Sequence, residues 1–326
     1  MLAYPQSCQA SGSRTGGPCI RSLPESGQAW TYVVQRSNGS DPRQYVLKRL
    51  KNKERLGRFK NEIEALARLS HPGVLKLVEV GESGGESYFV AEYCDRGDLS
   101  NLDLFMRMSL LEKLKLFREI CDAVAAAHQA KIVHRDIKHK NVLVKLDGSI
   151  AVADFGLCLD LDDMEERLTQ TQEAVGSRGY IAPELEDGRD STPTTASDCF
   201  SLGKLLFYLL AGRTLARTNY RGVPHDLRVP SSDGYLELVY SDLFPKTITE
   251  SATGRFQNAW ELRDAVDSVI MRIEQNAHVF ESTSSAALPL LCCWRIPTYD
   301  GRSSGTRVHA GVSQLRKYTE ILKHAE

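Results

Sequence analysis

One stretch constrains this chain more than any other: Ile132 to Gly156, IVHRDIKHKNVLVKLDGSIAVADFG. It sets a His-Arg-Asp run at His134, Arg135 and Asp136, then Lys138 and Asn141, ahead of two short apolar runs and an Asp-Phe-Gly run from Asp154. Val142-Leu143-Val144 and Ile150-Ala151-Val152 are rich in β-formers, and Asp147-Gly148 between them is turn chemistry, so together they predict a small hairpin. That hairpin folds the chain back on itself. Asp136 and Asn141, just before its first strand, are then expected near Asp154, just after its second.

The elements His134-Arg135-Asp136-x-Lys138-x-x-Asn141 and Asp154-Phe155-Gly156 resemble the catalytic core of the eukaryotic-type (Hanks-type) serine/threonine protein kinases. The resemblance covers about Leu23 to Glu274. It implies an α+β, bilobal protein kinase-like fold with a small, mainly β N-lobe and a larger, mainly α C-lobe. It further implies that Asn141 and Asp154 hold magnesium, or manganese in its place, beside ATP. Asp136 would orient the acceptor hydroxyl and take its proton, and Lys138 would steady the transferred phosphate.

Composition sets wider bounds. With 326 residues, 42% of them apolar, and a formal charge of -1, the chain is long enough for a two-lobed unit with a sizeable core. The near-neutral balance gives no reason to expect nucleic acid as a partner. The eight cysteines are scattered apart from Cys292-Cys293 and lack metal-ligand spacing, so buried thiols are expected, and the resemblance favours a reducing cytoplasm. No apolar run reaches the roughly 20 residues of a membrane span, and the N-terminus lacks a signal-like apolar segment.

Four regions follow from this reading: a flexible, Ser/Gly/Pro-rich tail over 1–21, an N-lobe and hinge over 22–94, a C-lobe over 95–275 and an extension over 276–326. The N-lobe departs from the family where a glycine-rich loop should cover the phosphates. Counting from Leu23 puts Pro24, Ser26 and Ala29 at the three glycine places and Thr31 at the valine place, with Gly27 between them. Ser26, Gly27 and Ala29 are small enough for a loop that closes over a nucleotide, whereas Pro24 lacks a backbone donor and Trp30 adds bulk.

Trp30 to Val34 and Gln44 to Leu50 are predicted strands joined through Asn38-Gly39 and Asp41-Pro42. Lys48 matches the family's strand lysine, which pairs with the α and β phosphates. Phe59, Ile63, Leu66 and Leu69 recur at helical spacing, so Glu54 to Leu69 is a predicted helix ended by His71-Pro72-Gly73. Glu62 matches the family's helix glutamate, the partner of Lys48. Glu64 is the rival, displaced by about 200 degrees around the helix and better suited to solvent.

Val74 to Val80 and Ser87 to Glu92 are two more predicted strands, separated by a turn over Gly81 to Gly85. AEYCDRGDL resembles the hinge between kinase lobes. Glu92 and Cys94 would offer backbone groups to adenine, Ala91 would control a pocket behind it, Val46 would roof the site and Leu143 floor it. Asp98 matches an acidic residue that meets ribose or a basic substrate residue; a cap before Leu99 is the alternative.

Leu110 to Gln129 is amphipathic, with His128 a packing or local hydrogen-bonding residue. Between Asp154 and Glu184 lies an activation segment ending in Ala182-Pro183-Glu184. Ser177 stands where the family carries threonine. Arg135, a cation beside Asp136, calls for an acidic partner, to be supplied by phosphorylated Thr169 or Thr171, or in part by Glu173. The acidic cluster at Asp160, Asp162, Asp163, Glu165 and Glu166 is read as a solvated face, with a basic docking partner as the alternative. Asp198 would tie down the catalytic-loop backbone, and Arg255 would pair with Glu184, both as structural residues. Leu236 to Phe244 and Ala259 to Ile273 are predicted helical. Val312 to Leu322 is a further helical candidate in an extension that could receive a regulatory partner.

The expected function is ATP- and magnesium-dependent phosphoryl transfer to serine or threonine hydroxyls of proteins, including the chain itself. A pseudokinase that binds nucleotide or protein partners is the alternative, and a small-molecule phosphotransferase is disfavoured by Ala182-Pro183-Glu184.

Overall fold

The computed structural model describes residues 19–23, 29–36, 42–155, 179–186, 193–229, 231 and 233–286. Residues 1–277 form one compact unit and 278–326 another, of which only a helix end through Ala286 is described.

The N-lobe is a five-stranded antiparallel sheet in the order β1-β2-β3-β5-β4, with β1 Cys19–Ser22, β2 Ala29–Gln35, β3 Gln44–Leu50, β4 Leu77–Ser83 and β5 Glu86–Glu92. Opposed residues in such a ladder share a face. Thr31 lies opposite Lys48 and Val33 opposite Val46, while Lys48 and Val46 in turn face Phe89 and Ala91. One side of the sheet therefore carries Thr31, Val33, Val46, Lys48, Phe89 and Ala91. Val34, Tyr45, Leu47 and Val90 form a small separate core on the other side.

Helix α1, Leu56–Arg68, packs on the first face. It buries Phe59, Glu62, Ala65 and Leu66, and the Phe59 ring lies 5.4 Å from that of Phe89. An acidic residue among those apolar positions needs a local cation, because a buried unpaired carboxylate is costly.

The C-lobe is built on α2, Leu110–Gln129, and α4, Thr195–Ala211, joined by the hairpin of β6, Val142–Val144, and β7, Ile150–Val152. Ser109 and Glu112 form a capping box at the start of α2, and Thr194 and Ser197 form one at the start of α4, each worth about 1 kcal/mol. Most of α4 is buried, and the helix stops at Gly212, whose φ of 68 places it in the left-handed region that glycine tolerates best. Short helix α3 spans Pro183–Glu186, and α5 spans Ala259–Ala286.

Several boundaries differ from expectation. Strand β1 begins inside the stretch read as tail, because Cys19 to Ser22 gains a ladder with β2. The turn between β4 and β5 is Gly84-Gly85, with φ of 63 and 76. Gly81 lies within β4 under the Tyr88 ring. Helix α5 continues past Ile273. Leu236 to Phe244 is not one regular helix but an α turn, a π turn over Val239–Leu243 and a 3-10 turn from Phe244.

The proline- and glycine-interrupted stretch before it is organised by Tyr240. The Tyr240 hydroxyl accepts from the Leu227 N–H at 2.8 Å and donates to the Tyr220 carbonyl. Its ring lies 4.3 Å from the Arg228 guanidinium, which also pairs with Asp226 and Glu237. Irregular backbone can be packed here because its polar groups find such partners. Among the described residues, no helix is long and apolar enough to cross a membrane.

Candidate active site

Lys48, on the inner face of β3, reaches both α1 and the residue after the hairpin. Its Nζ donates to Glu62 at 2.8 and 3.1 Å and to Asp154 at 2.7 Å. Glu62 is 3% exposed, whereas the Asp154 side chain retains about a third of its exposure. One ammonium therefore faces two carboxylates, leaving an excess negative charge. Burial pushes Glu62 up to about 7, with Lys48 opposing and the Asp154 charge adding to the rise. Burial acts upward on Asp154 too, but Lys48 overcomes it and holds that carboxyl well below the usual range. Burial alone would pull Lys48 down; the two carboxylates instead keep it above the ordinary lysine value.

The predicted hairpin supplies the other half. Val142 pairs with Val152, and the Ala153 N–H donates to the Asn141 carbonyl at 2.9 Å, which sets Asn141 beside Asp154. At the hairpin tip, Gly148 has a φ of 89 and Asp147 accepts from the Ser149 N–H. Lys138 donates to both Asp136 carboxylate oxygens, at 3.0 and 2.8 Å. The Asn141 amide nitrogen donates to the Asp136 carbonyl at 2.7 Å and to its carboxylate at 3.1 Å.

Asp198 fastens this loop from α4. Its carboxylate accepts from the backbone N–H groups of His134 at 2.7 Å and Arg135 at 2.9 Å. The Ala259 N–H donates to His128 Nδ1, so Nε2 of that ring carries the proton it donates to Asp198 at 3.0 Å. His128 is thus packed in the core, as expected of a packing residue, and its hydrogen bonds join residues far apart in sequence rather than near neighbours. Such anchoring holds Arg135 at a φ of 71, a conformation that residues with a Cβ rarely adopt. Asp154 has a similar φ of 61. The His134 ring donates to the Ala153 carbonyl and lies 4.6 Å from the Phe155 ring; Leu66 and Leu77 belong to the same core.

This donor set can be tested against magnesium. Asn141 uses its nitrogen on Asp136, leaving an amide oxygen, and Asp154 spends one carboxylate oxygen on Lys48. Both offer hard oxygen ligands, which suit that ion. Among the described residues no group of three or more His, Cys, Asp or Glu could hold a metal alone. The residues present fit an ion that takes its remaining ligands from phosphates and water.

Val46 and Ala91 lie on the sheet's inner face, and Leu143 forms an isolated antiparallel bridge with Asp98. The β2–β3 register sets Thr31 opposite Lys48 and Val33 opposite Val46, so Val33 is a further residue beside Val46. Ala91 is fully buried within the core. The Glu92 side chain turns to Lys145 and the Lys76 N–H, and the Cys94 carbonyl accepts from Gly97. Burial, with Glu92 adding to it, pushes the Cys94 thiol up to about 12, so it is a poor nucleophile. Asp98 caps a local turn by accepting from the Ser100 N–H at 2.7 Å. Ala29 is buried at the start of β2. Tyr93 of the hinge bonds to Arg21 of β1, a contact that no local motif announces. Two surface cavities of about 650 and 680 Å³ share Lys76, Leu77, Val78 and Glu92 but include none of Lys48, Asp136 or Asp154.

Arg255 makes a two-pronged pair with Glu184, both contacts at 2.8 Å, and Ser197 donates to the same carboxylate. Ser26, Gly27, the acidic cluster from Asp160 to Glu166, Thr169, Thr171, Glu173, Ser177 and the candidate helix Val312 to Leu322 lie outside the described residues.

Residues 29–231 match the family model described as protein kinase domain. The chain is 37% identical over 159 residues to a probable serine/threonine-protein kinase PknB of Lactococcus lactis, covering 48% of this chain and 25% of the relative. It is 35% identical over 222 residues to CBL-interacting protein kinase 21 of Oryza sativa, covering 63% and 41%. It is 30% identical over 263 residues to the serine/threonine-protein kinase PknA of Mycobacterium tuberculosis, covering 74% and 58%. The chain therefore spans between a quarter and three fifths of the length of these relatives. Its bilobal fold and these matches agree, and the chain belongs to the eukaryotic-type, or Hanks-type, serine/threonine protein kinase family.

Proposed function

We propose that the protein transfers the γ-phosphoryl group of ATP, with magnesium, to serine or threonine hydroxyls of proteins, itself included. The observation that carries this reading is that Lys48 binds Glu62 and Asp154 while Lys138 and Asn141 both donate to Asp136, with Asn141 set beside Asp154 by the hairpin. Lys48, steadied by Glu62, presents a fixed cation to phosphate oxygens. Asp136 accepts the hydroxyl proton, and Lys138 offers its charge where negative charge builds on the transferred group. Asn141 and Asp154 hold the metal, which when bound neutralises phosphate charge. Val33, Val46, Ala91 and Leu143 enclose the base, and the hinge at Glu92 and Cys94 offers its backbone. Positioning and fixed electrostatics lower the barrier without a covalent intermediate.

In the same reading, phosphorylated Thr169 or Thr171 serves as an acidic partner of Arg135, with Glu173 as a partial substitute, and Ser177 takes the role of the family's threonine, whose hydroxyl bridges Asp136 and Lys138. The extension beyond residue 275 receives a regulatory partner. Free, buried Cys94, Cys121 and Cys199 suit a reducing cytoplasm.

The test is transfer from γ-labelled ATP to the protein and to casein, beside Asp136→Asn. Magnesium-dependent label in the wild type and its loss in the variant support the reading. Equal background in both, from folded protein that still binds ATP, turns it to a pseudokinase.

A further inference from the structure

The single turn His139–Asn141 follows Lys138, and Lys138 and Asn141 both donate to Asp136. The first residue of that turn has no role in the chemistry above, yet it is held on two sides. The His139 ring stacks on Tyr208 of α4, with centroids 4.3 Å and planes 17° apart. A 2.9 Å hydrogen bond joins its Nδ1 to the Tyr180 hydroxyl.

Tyr180 belongs to the segment that runs into Ala182-Pro183-Glu184, and that segment is itself fastened to α4. Ser201 donates to the Tyr180 carbonyl at 2.8 Å, and Ser197 donates to Glu184 at 2.9 Å. Tyr180 and Tyr208 are 4% and 6% exposed, so the imidazole reaches into a packed wall. Packing alone would be served by a phenylalanine. A buried phenol, however, needs a polar partner, and His139 supplies one from the catalytic turn.

We infer that His139 is a positioning residue for phosphoryl transfer: by joining Tyr180 and Tyr208 to the turn, it sets Lys138 and Asn141 around Asp136 when the 179–186 segment is seated on α4. The ring acts as a fixed strut, held by its stack on Tyr208 and its bond to the Tyr180 hydroxyl. The inference rests on the phosphotransfer reading and adds a link between the segment before α3 and the groups at Asp136.

Three variants separate the bond from the stack. Tyr180→Phe removes one hydroxyl and keeps the ring, His139→Phe keeps the stack and loses the bond, and His139→Asn keeps a polar partner without the stack. With ATP and casein as substrates, Tyr180→Phe and His139→Phe each lower kcat roughly tenfold while the KM for ATP stays within about twofold. Combining the two lowers kcat no further, because the same bond is lost once. His139→Asn recovers part of the rate. Wild-type kcat in both single variants, a loss carried by the KM for ATP, or losses that multiply in the double variant overturns the inference. So does a lower Tm with unchanged kcat, which assigns His139 to packing alone. Asp136→Asn is run alongside: if the wild type transfers no more than this variant, the phosphotransfer reading fails and the inference with it. An active wild type with unaltered His139 and Tyr180 variants overturns the inference alone.

Discussion

Two buried arrangements of opposite charges in this chain differ in one respect. At Arg255 and Glu184 the count is one to one, and the guanidinium also donates to the carbonyls of Thr249, Ala196 and Glu250. Burial alone would raise Glu184, but Arg255 and the hydrogen bonds it receives hold it below the ordinary value. At Lys48 one ammonium faces two carboxylates, and Asp154 keeps a side open to the cleft. The first site is complete in itself. The second carries excess negative charge and free oxygen ligands, which suits a place where a cation and phosphates come and go.

Breaking the second site should therefore remove chemistry, and breaking the first should remove stability. The largest expected effect is on transfer by Asp154→Asn, which loses a metal ligand and falls by about three orders of magnitude, roughly 4 kcal/mol. Initial rates with labelled ATP check this. Next comes Arg255→Ala, which strands Glu184 and the three carbonyls and is expected to cost about 3–5 kcal/mol in denaturant unfolding. A cost below 1 kcal/mol would show that the pair adds little to the fold.

The pH dependence sharpens the contrast. The folded pKa of Glu62 lies above its unfolded value, so its contribution is full below about 4.5 and is lost as pH rises toward about 7. The folded pKa of His139 lies below its unfolded value, so its contribution is full above 6.5 and is lost as pH falls toward about 4. Each change amounts to roughly 3–4 kcal/mol over its range, and they oppose each other across the same window. Glu62→Gln should then lose stability on acidification more steeply than the wild type, and His139→Asn should lose it on the way to neutrality. Unfolding at four pH values between 4.5 and 7.5 reads both; parallel curves for all three proteins would refute the assignment. The smallest effect is the stability change in Asp154→Asn. It leaves Lys48 balanced by Glu62 and should stay within about 1–2 kcal/mol, below the Arg255→Ala cost.

What was legible in the sequence was local. Helix α2 runs over the predicted Leu110–Gln129, because its apolar spacing and the Ser109–Glu112 cap act within a few residues of each other. The hairpin between Asn141 and Asp154 was visible for the same reason, as was the choice of Glu62 over Glu64 on α1. Register was not legible: Val33 lies opposite Val46 because β2 and β3 pair that way, and a run of β-formers does not say which residue of the partner strand it faces. Nor were the fold around Tyr240 and the partners of His139, since an isolated aromatic or imidazole carries no record of what it packs against.

The sequence by itself determined the inventory of charged and polar groups, the spacing from His134 to Asp154, and the helices and turns that near neighbours dictate. Only the tertiary structure decided which of those groups meet. Lys48 reaches Asp154 across 106 positions, and Asp198 holds His134 across 64. Such pairings are selected when burial and hydrogen-bond satisfaction are summed over the whole packed chain, and no local period or turn signal contains that sum.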